Sequence, residues 1–149
     1  MDENRKKRFL PYLLGALQVF IGLTAIIGGF GLVSDPSGTR MDIPLEWLGN
    51  SPFTNYLIPG LVLLIINGGG NFSAGIVTVL RNRYAGEIAV LMGTFLVFYM
   101  MTEIWFIGLR TFLQPLYFIL GVTELMLGWK LRKLVLTLHS HPRRVVTKI

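Results

Sequence analysis

Four long apolar stretches determine what this chain of 149 residues can fold into. They cover residues 9–33, 56–80, 87–109 and 112–133, and a helix needs about 20 mostly apolar residues to cross a bilayer. With 52% hydrophobic residues, the chain is too apolar for an ordinary soluble domain of its size, and the stretches leave little sequence for a second domain. The sequence therefore predicts one all-α membrane domain, a bundle of four transmembrane helices, followed by a tail over residues 134–149.

Basic residues are distributed unequally between the ends of these stretches. Short loops rich in Lys and Arg stay on the cytoplasmic side of a membrane. Every basic residue except Arg40 and Arg110 lies in residues 5–8, 81–83 or 130–148, which a four-span arrangement places on one side. Both termini are therefore predicted to be cytoplasmic, with anionic lipid as the partner of this basic face.

Glycines recur at spacings that favour close helix packing. Gly15, Gly22 and Gly29 are seven residues apart in the first span, and Gly121 and Gly128 repeat this spacing in the fourth. Small residues on one face let helix backbones approach closely in a membrane. We therefore expect the first and fourth helices to be neighbours.

The second span carries three consecutive glycines, Gly68, Gly69 and Gly70, between Asn67 and Asn71. A broken helix at this depth would line a cavity or a substrate site, since its free backbone groups need partners. A continuous helix with a tightly packed glycine face is the alternative, and we favour it.

Two acidic residues, Glu103 and Glu124, are predicted to lie well inside the spans. A carboxyl group is costly in hydrocarbon, so each is a functional hypothesis. At a rise of about 1.5 Å per residue, Gln18 and Asn67 fall near the depth of Glu124. Thr102 and Thr123 each precede one of the two acids, which suggests a shared polar core. The candidate ion or ligand site contains Gln18, Asn67, Asn71, Thr102, Glu103, Thr123 and Glu124. A purely structural hydrogen-bonded core remains open as the alternative.

The sequence lacks the residues that several classes of function require. The chain contains no cysteine, which excludes thiol redox chemistry and cysteine-bound metals. His139 and His141 have no third ligand near them in the sequence, so we expect no metal site. The basic residues flank apolar spans instead of forming a soluble basic face, so nucleic acid is not an expected partner. No phosphate-binding loop, nucleophile elbow or metalloprotease helix occurs. We expect a protein that is not an enzyme and has no cofactor.

The pattern of the whole chain resembles small uncharacterised bacterial four-helix membrane proteins and, loosely, the DoxX-like group. The resemblance is carried by Ser51-Pro52-Phe53 before Ile58-Pro59-Gly60, by the basic turn at residues 81–83, and by Gly121-Val122-Thr123-Glu124-Leu125. It implies a compact bundle in the bacterial plasma (inner) membrane and no established catalytic residue.

Three functions remain open. The first is a non-enzymatic accessory or interaction subunit, whose partner is a second copy or another membrane protein. The second is a proton- or cation-coupled transporter or channel component that uses Glu103 and Glu124. The third is binding of a lipid or another small hydrophobic ligand between the helices.

Overall fold

The computed structural model describes residues 3–140, and the side chains of residues 9–137, as an all-α protein. Residues 141–149, which include His141 and the last basic residues, lie outside the described part. Within residues 3–140, four long helices are joined by three connections. They are α1 (Glu3–Ser34), α2 (Leu57–Val79), α3 (Ala85–Ile107) and α4 (Leu113–Ser140).

The length and apolarity of the helices identify the chain as a multi-pass membrane protein. Among the described residues, three helical segments are long and apolar enough to cross a bilayer: Phe9–Ser34, Leu57–Val79 and Ala85–Ile107. Helix α4 is long enough but less apolar, because it contains Gln114, Glu124 and several basic residues. It continues without interruption past the predicted span end at residue 133, to Ser140.

Helices α1 and α2 run antiparallel with their backbones very close. A Cβ atom built on Gly22 would lie 2.5 Å from the amide nitrogen of Phe72, and one on Gly29 would lie 2.5 Å from that of Leu64. Gly15 also faces α2. The glycine face of α1 therefore packs against α2, whereas the sequence led us to expect α4.

Helices α3 and α4 form a second antiparallel pair of the same kind. A Cβ atom on Gly93 would lie 2.7 Å from the amide nitrogen of Leu125, and one on Gly128 would lie 2.9 Å from that of Val90. Gly121 likewise faces α3. Helices α1 and α4 are neighbours, as expected, but side chains and not glycines form their contact.

Helix α2 is continuous through its glycine triplet, although the segment Leu63–Gly70 has the wider turns of a π-helix. A Cβ atom on Gly68 would lie 2.7 Å from the side chain of Ile26, so this glycine is closely packed. Gly69 differs, because its nearest atom would be the carbonyl oxygen of Leu64 in the same helix, at 3.9 Å. The expected glycine face therefore does not include Gly69.

Apolar side chains fill the interior in successive layers, the first two between the helix pairs and the third between α1 and the long connection. We call the end at residues 81–84 the basic end and the end at residues 35–56 the loop end. From the basic end, the buried members of the three layers are Leu14, Ala85, Ala89 and Leu131, then Ile21, Leu96 and Met100, and then Leu32, Leu48 and Tyr56.

Candidate functional site

Three polar side chains form a hydrogen-bonded chain in the interior. Gln18 of α1 donates from Nε2 to Oε1 of Glu124 on α4 at 3.0 Å, and Thr78 of α2 donates its hydroxyl to Oε1 of Gln18 at 2.7 Å. All three residues are 0% exposed. The depth estimate from the sequence put Gln18 and Glu124 at one level, and the structure places them in contact.

The close helix pairs hold these polar side chains in place. Gln18 lies one turn before Gly22, where α1 and α2 touch, and Glu124 precedes Leu125, where α4 touches Gly93 of α3. Each pair is thus fixed near the point at which its polar side chain enters the interior. The Leu14 layer lies on one side of the hydrogen-bonded chain and the Ile21 layer on the other, which keeps the polar groups away from both ends.

Two asparagines extend the polar face of α2. Asn67 and Asn71 are 1% and 0% exposed, and they precede Thr78 by eleven and seven residues. These spacings place the three residues on one side of a helix. The buried face of α2 is therefore polar over about three turns.

Asn71 lies nearer than Asn67 to the level of Gln18 along α1. The residue after Asn71 packs against Gly22, one turn of α1 beyond Gln18, whereas the residue after Asn67 packs against Ile26, two turns beyond. At about 1.5 Å per residue, the axial separations from Gln18 are about 6 Å and about 12 Å. We call Gln18, Asn71, Thr78 and Glu124 the polar layer.

Several buried polar atoms have no hydrogen-bond partner among the described residues. They are Oε2 of Glu124 and both side-chain amide atoms of Asn67 and of Asn71. Buried polar groups are normally hydrogen-bonded, because an unpaired one costs about 1–3 kcal/mol. The arrangement can therefore accept a proton, a water molecule or a cation.

Glu103 lies near the loop end and does not share a site with Glu124. Nε2 of Gln114 donates to Oε1 of Glu103 at 3.1 Å and to the Gly108 carbonyl at 3.1 Å, while Oε1 of Gln114 accepts the amides of Arg110 and Thr111. Gln114 is only 3% exposed. The side chain that closes the turn between α3 and α4 therefore also positions Glu103.

Thr102 and Thr123 do not join the carboxyl groups that follow them. The Thr102 hydroxyl donates to the Phe98 carbonyl, and the Thr123 hydroxyl donates to the Ile119 carbonyl, each within its own helix. Thr123 is exposed. The matching Thr-Glu dipeptides therefore do not form a shared core.

Two cavities lie beside Glu103. The first has a volume of about 220 Å³ and lies between α2 and α3, lined mainly by aromatic and aliphatic side chains. The second has a volume of about 210 Å³, and all four helices and the long connection contribute to its wall. Pro59, Tyr99, Glu103 and Ile107 line both cavities. The Tyr99 hydroxyl donates to the Pro59 carbonyl at 3.2 Å, so this pair forms a partition between them.

The loop-end wall of the second cavity contains Tyr56, which is 3% exposed. Burial raises the pKa of the Tyr56 phenol, and the Glu103 carboxyl group adds a smaller contribution. The hydroxyl therefore stays protonated and donates to the Pro44 carbonyl at 2.9 Å. This bond fixes the connection between α1 and α2 over the cavity.

Three residues of these sites were missed by the sequence analysis. Thr78 follows Asn71 by seven residues, and Tyr99 precedes Glu103 by four, so helical spacing would have identified both. Gln114 gave no comparable signal, because its role depends on the path of the turn after α3.

Comparisons with known proteins identify no relative of this chain. The chain matches no family model, no curated protein and no solved structure, so the proposals below rest on its own residues.

Proposed function

We propose that this protein binds a small, mostly apolar molecule, such as part of a lipid chain or another small hydrophobe, in the two cavities beside Glu103. The observation that supports this function is the combination of mainly apolar walls with a positioned polar pair, Glu103 beside both cavities and Gln114 beside the second. Ligand pockets in proteins typically combine these two features. The proposal includes no chemical step and needs no cofactor.

The cavity volumes limit the size of the ligand. An apolar cavity of about 150 Å³ holds benzene, whereas pockets for drug-sized molecules are about 300–1,000 Å³. Cavities of about 210 and 220 Å³ therefore fit a single ring or a short part of a chain each. A longer ligand would have to occupy both, with its polar group near Glu103.

Trp47 provides a direct probe, because it lines the second cavity. In a variant with Trp105→Phe and Trp129→Phe, Trp47 is the only tryptophan left of three. A long-chain alcohol that carries bromine atoms on its chain should quench Trp47 fluorescence in purified protein. We expect the quenching to saturate and to be reversed by the same alcohol without bromine.

A pair of glycine variants separates binding in the cavity from contact with detergent. Gly28 lines the second cavity and has only one neighbouring atom at ordinary contact distance, so Gly28→Leu should fill part of the cavity. Gly69→Leu adds the same side chain where no other helix is close. Quenching should weaken several-fold in Gly28→Leu and persist in Gly69→Leu. Equal quenching in both variants would refute the proposed site.

We further propose that α4 also crosses the membrane, which gives four spans with both termini on the cytoplasmic side. Gly86, near the start of α3, packs against the backbone of Arg132, and Gln114 bonds to Glu103 near the other end. The segment 114–132 of α4 therefore extends over nearly the whole length of α3. Its buried Gln114 and Glu124 explain its lower apolarity, since neither faces lipid.

The basic end supports this orientation. The Arg81 guanidinium lies 5.1 Å from the ring centre of Tyr12, and Lys133 lies 5.6 Å from that of Trp129. Aromatic rings beside basic residues are typical of the interface between membrane and water. We propose a bacterial inner membrane, with anionic lipid as a partner of this surface. The accessory or interaction role, with a second copy or another membrane protein as partner, remains a prediction from the sequence.

Single cysteines in this cysteine-free chain test the topology. Thr39, Asn82 and Thr147 lie respectively in the long connection, in the turn after α2 and in the C-terminal segment. Cysteine at Thr39 should react with an impermeant reagent from outside, and cysteines at Asn82 and Thr147 only after the membrane is opened. Reaction at Thr147 from outside would show that α4 does not cross.

A further inference from the structure

Glu103 lines both cavities, whereas no Lys, Arg or His of the described residues lines either of them. Arg110, the nearest basic residue along the chain, donates from Nε to the Ile107 carbonyl at 3.1 Å, and its guanidinium lies 5.8 Å from the ring centre of Trp47. An ionised carboxyl group is costly away from water unless it has a positive partner. The walls of the cavities supply no such partner, so a bound cation would complete the site.

The hydrogen bonds of Gln114 hold the Glu103 carboxyl group as an acceptor. The side-chain Oε1 of this glutamine accepts the amides of Arg110 and Thr111, so its Nε2 faces the acid and donates to Oε1 of Glu103 at 3.1 Å. The other carboxyl oxygen of Glu103, Oε2, accepts no hydrogen bond from the described residues. Oε2 can therefore accept one from a ligand, and a positively charged donor forms the strongest bond of this kind.

Aromatic side chains share the wall of the second cavity with Glu103. The hydroxyl groups of two of them, Tyr56 and Tyr99, already donate to backbone carbonyls, which leaves their rings to contact a ligand. The faces of aromatic rings attract cations, and proteins hold ammonium groups in cages of such rings. One acid among aromatic rings therefore favours a cation over an anion. The aromatic residues of this wall are Trp47, Tyr56, Tyr99 and Tyr117.

We infer that the second cavity binds the ammonium group of a hydrophobic amine, with the Glu103 carboxylate as its counter-ion. This inference rests on the proposed function and names the class of its ligand. A cavity of about 210 Å³ holds the ammonium group and a short part of the chain. A longer chain continues past the partition of Tyr99 and Pro59 into the first cavity, whose wall is mainly aromatic and aliphatic. The polar layer lines neither cavity, so Glu124 takes no part.

A matched pair of ligands measures the contribution of the charge. The probes are a long-chain primary amine and the alcohol of the same length, brominated at the same positions, and the protein is the chain in which Trp47 is the only tryptophan. The amine is protonated at neutral pH, as the lysine side chain is. Glu103→Gln keeps the shape of the side chain but removes the charge. It should weaken binding of the amine by about tenfold or more, because a charged hydrogen bond is lost, and change binding of the alcohol much less.

A surface variant and the alcohol serve as controls. Glu87→Gln removes one carboxylate that is paired with Arg132 at 3.7 Å at the surface, and it should leave binding of both compounds unchanged. Each compound is compared with itself across the variants, so its partition into detergent cancels. If the alcohol quenches Trp47 saturably and Glu103→Gln affects both compounds equally, the ammonium site is refuted and binding in the cavities stands. If neither compound quenches saturably, the proposed function fails as well.

A competition with Glu103 intact covers the case in which Glu103→Gln does not fold. The amine without bromine should displace the brominated alcohol at a several-fold lower concentration than the fatty acid of the same chain length does. The fatty acid brings a second negative charge beside Glu103, whereas the amine brings the missing positive one. Displacement by the fatty acid at the same concentration as by the amine would overturn the inference.

Discussion

Gly22→Ala tests whether backbone contact between α1 and α2 determines the stability of the fold. The new Cβ atom would lie 2.5 Å from the Phe72 amide nitrogen and 2.8 Å from its Cα, whereas ordinary contact begins at 3.4 Å. Both atoms belong to the backbone, so no side chain can rotate away. The two helices must separate locally by about 0.9 Å, which is the difference between 3.4 and 2.5 Å.

The expected cost of Gly22→Ala follows from two opposing effects. Overpacking of this kind costs about 1–3 kcal/mol, while replacing glycine by alanine within a helix gains about 0.5–1 kcal/mol. We expect a net loss of about 1–2 kcal/mol in the free energy of unfolding. The hydrogen bond between Gln18 and Thr78, one turn away, should weaken as the helices separate.

Gly69→Ala is the matched control for this measurement. It adds the same methyl group to α2, but the nearest atom is 3.9 Å away and belongs to the same helix. Reversible unfolding in mixed detergent micelles, monitored by circular dichroism, should show Gly22→Ala to be less stable than the unaltered chain. Gly69→Ala should be as stable or slightly more stable. If Gly22→Ala unfolds at the same denaturant concentration as the unaltered chain, backbone contact is not limiting.

Three further predictions concern the connections. Gln114→Leu should lower the free energy of unfolding by about 1–3 kcal/mol, because buried groups at the turn after α3 lose their partner; the same unfolding assay measures this. Two hydrogen bonds lower the pKa of Asp35, and the bond from the Ser37 hydroxyl has a larger effect than the bond from the Arg40 amide. The resulting stabilisation of this turn is therefore present above the pKa that Asp35 has in the unfolded chain. It is lost as pH falls through the lower pKa that Asp35 has in the folded protein. Protection of the Arg40 amide from hydrogen exchange should fall over that acidic range, and Asp35→Asn should abolish this dependence. Gly38→Ala should destabilise the same connection, since Gly38 has a φ of 75° and its Cβ atom would collide with the Ile43 carbonyl; a lower melting temperature would show this, and an unchanged one would contradict the strain.

The sequence was most informative about features that depend on position along a helix. The spans of α2 and α3 were predicted to within a few residues, because apolar length is set by the thickness of a membrane. The depth estimates placed Gln18 and Glu124 at one level, and their hydrogen bond agrees with this, since long helices that lie side by side align along their length. The same estimate was less accurate for Asn67, which lies about two turns of α1 from Gln18.

Features that depend on helix rotation or on turns were not predictable in the same way. Successive residues point about 100° apart on a helix, so a Thr beside a Glu need not share its face, as Thr102 and Thr123 demonstrate. The partner of Glu103 is Gln114, and their contact depends on the path of residues 108–112. The glycine spacing predicted close packing but could not say which helix is the partner. That choice depends on the order in which neighbouring helices pair.

The glycine contacts of the fold have a consequence for the biogenesis of the protein. Nearly all close backbone approaches lie within the pair α1 and α2 or within the pair α3 and α4, and mainly side chains fill the space between the pairs. Each pair is therefore a helical hairpin that can be completed as soon as its own two helices leave the ribosome. The second hairpin then associates with the first laterally, through complementary side chains. Separate synthesis of residues 1–82 and 83–149 in one cell should accordingly still yield the assembled protein.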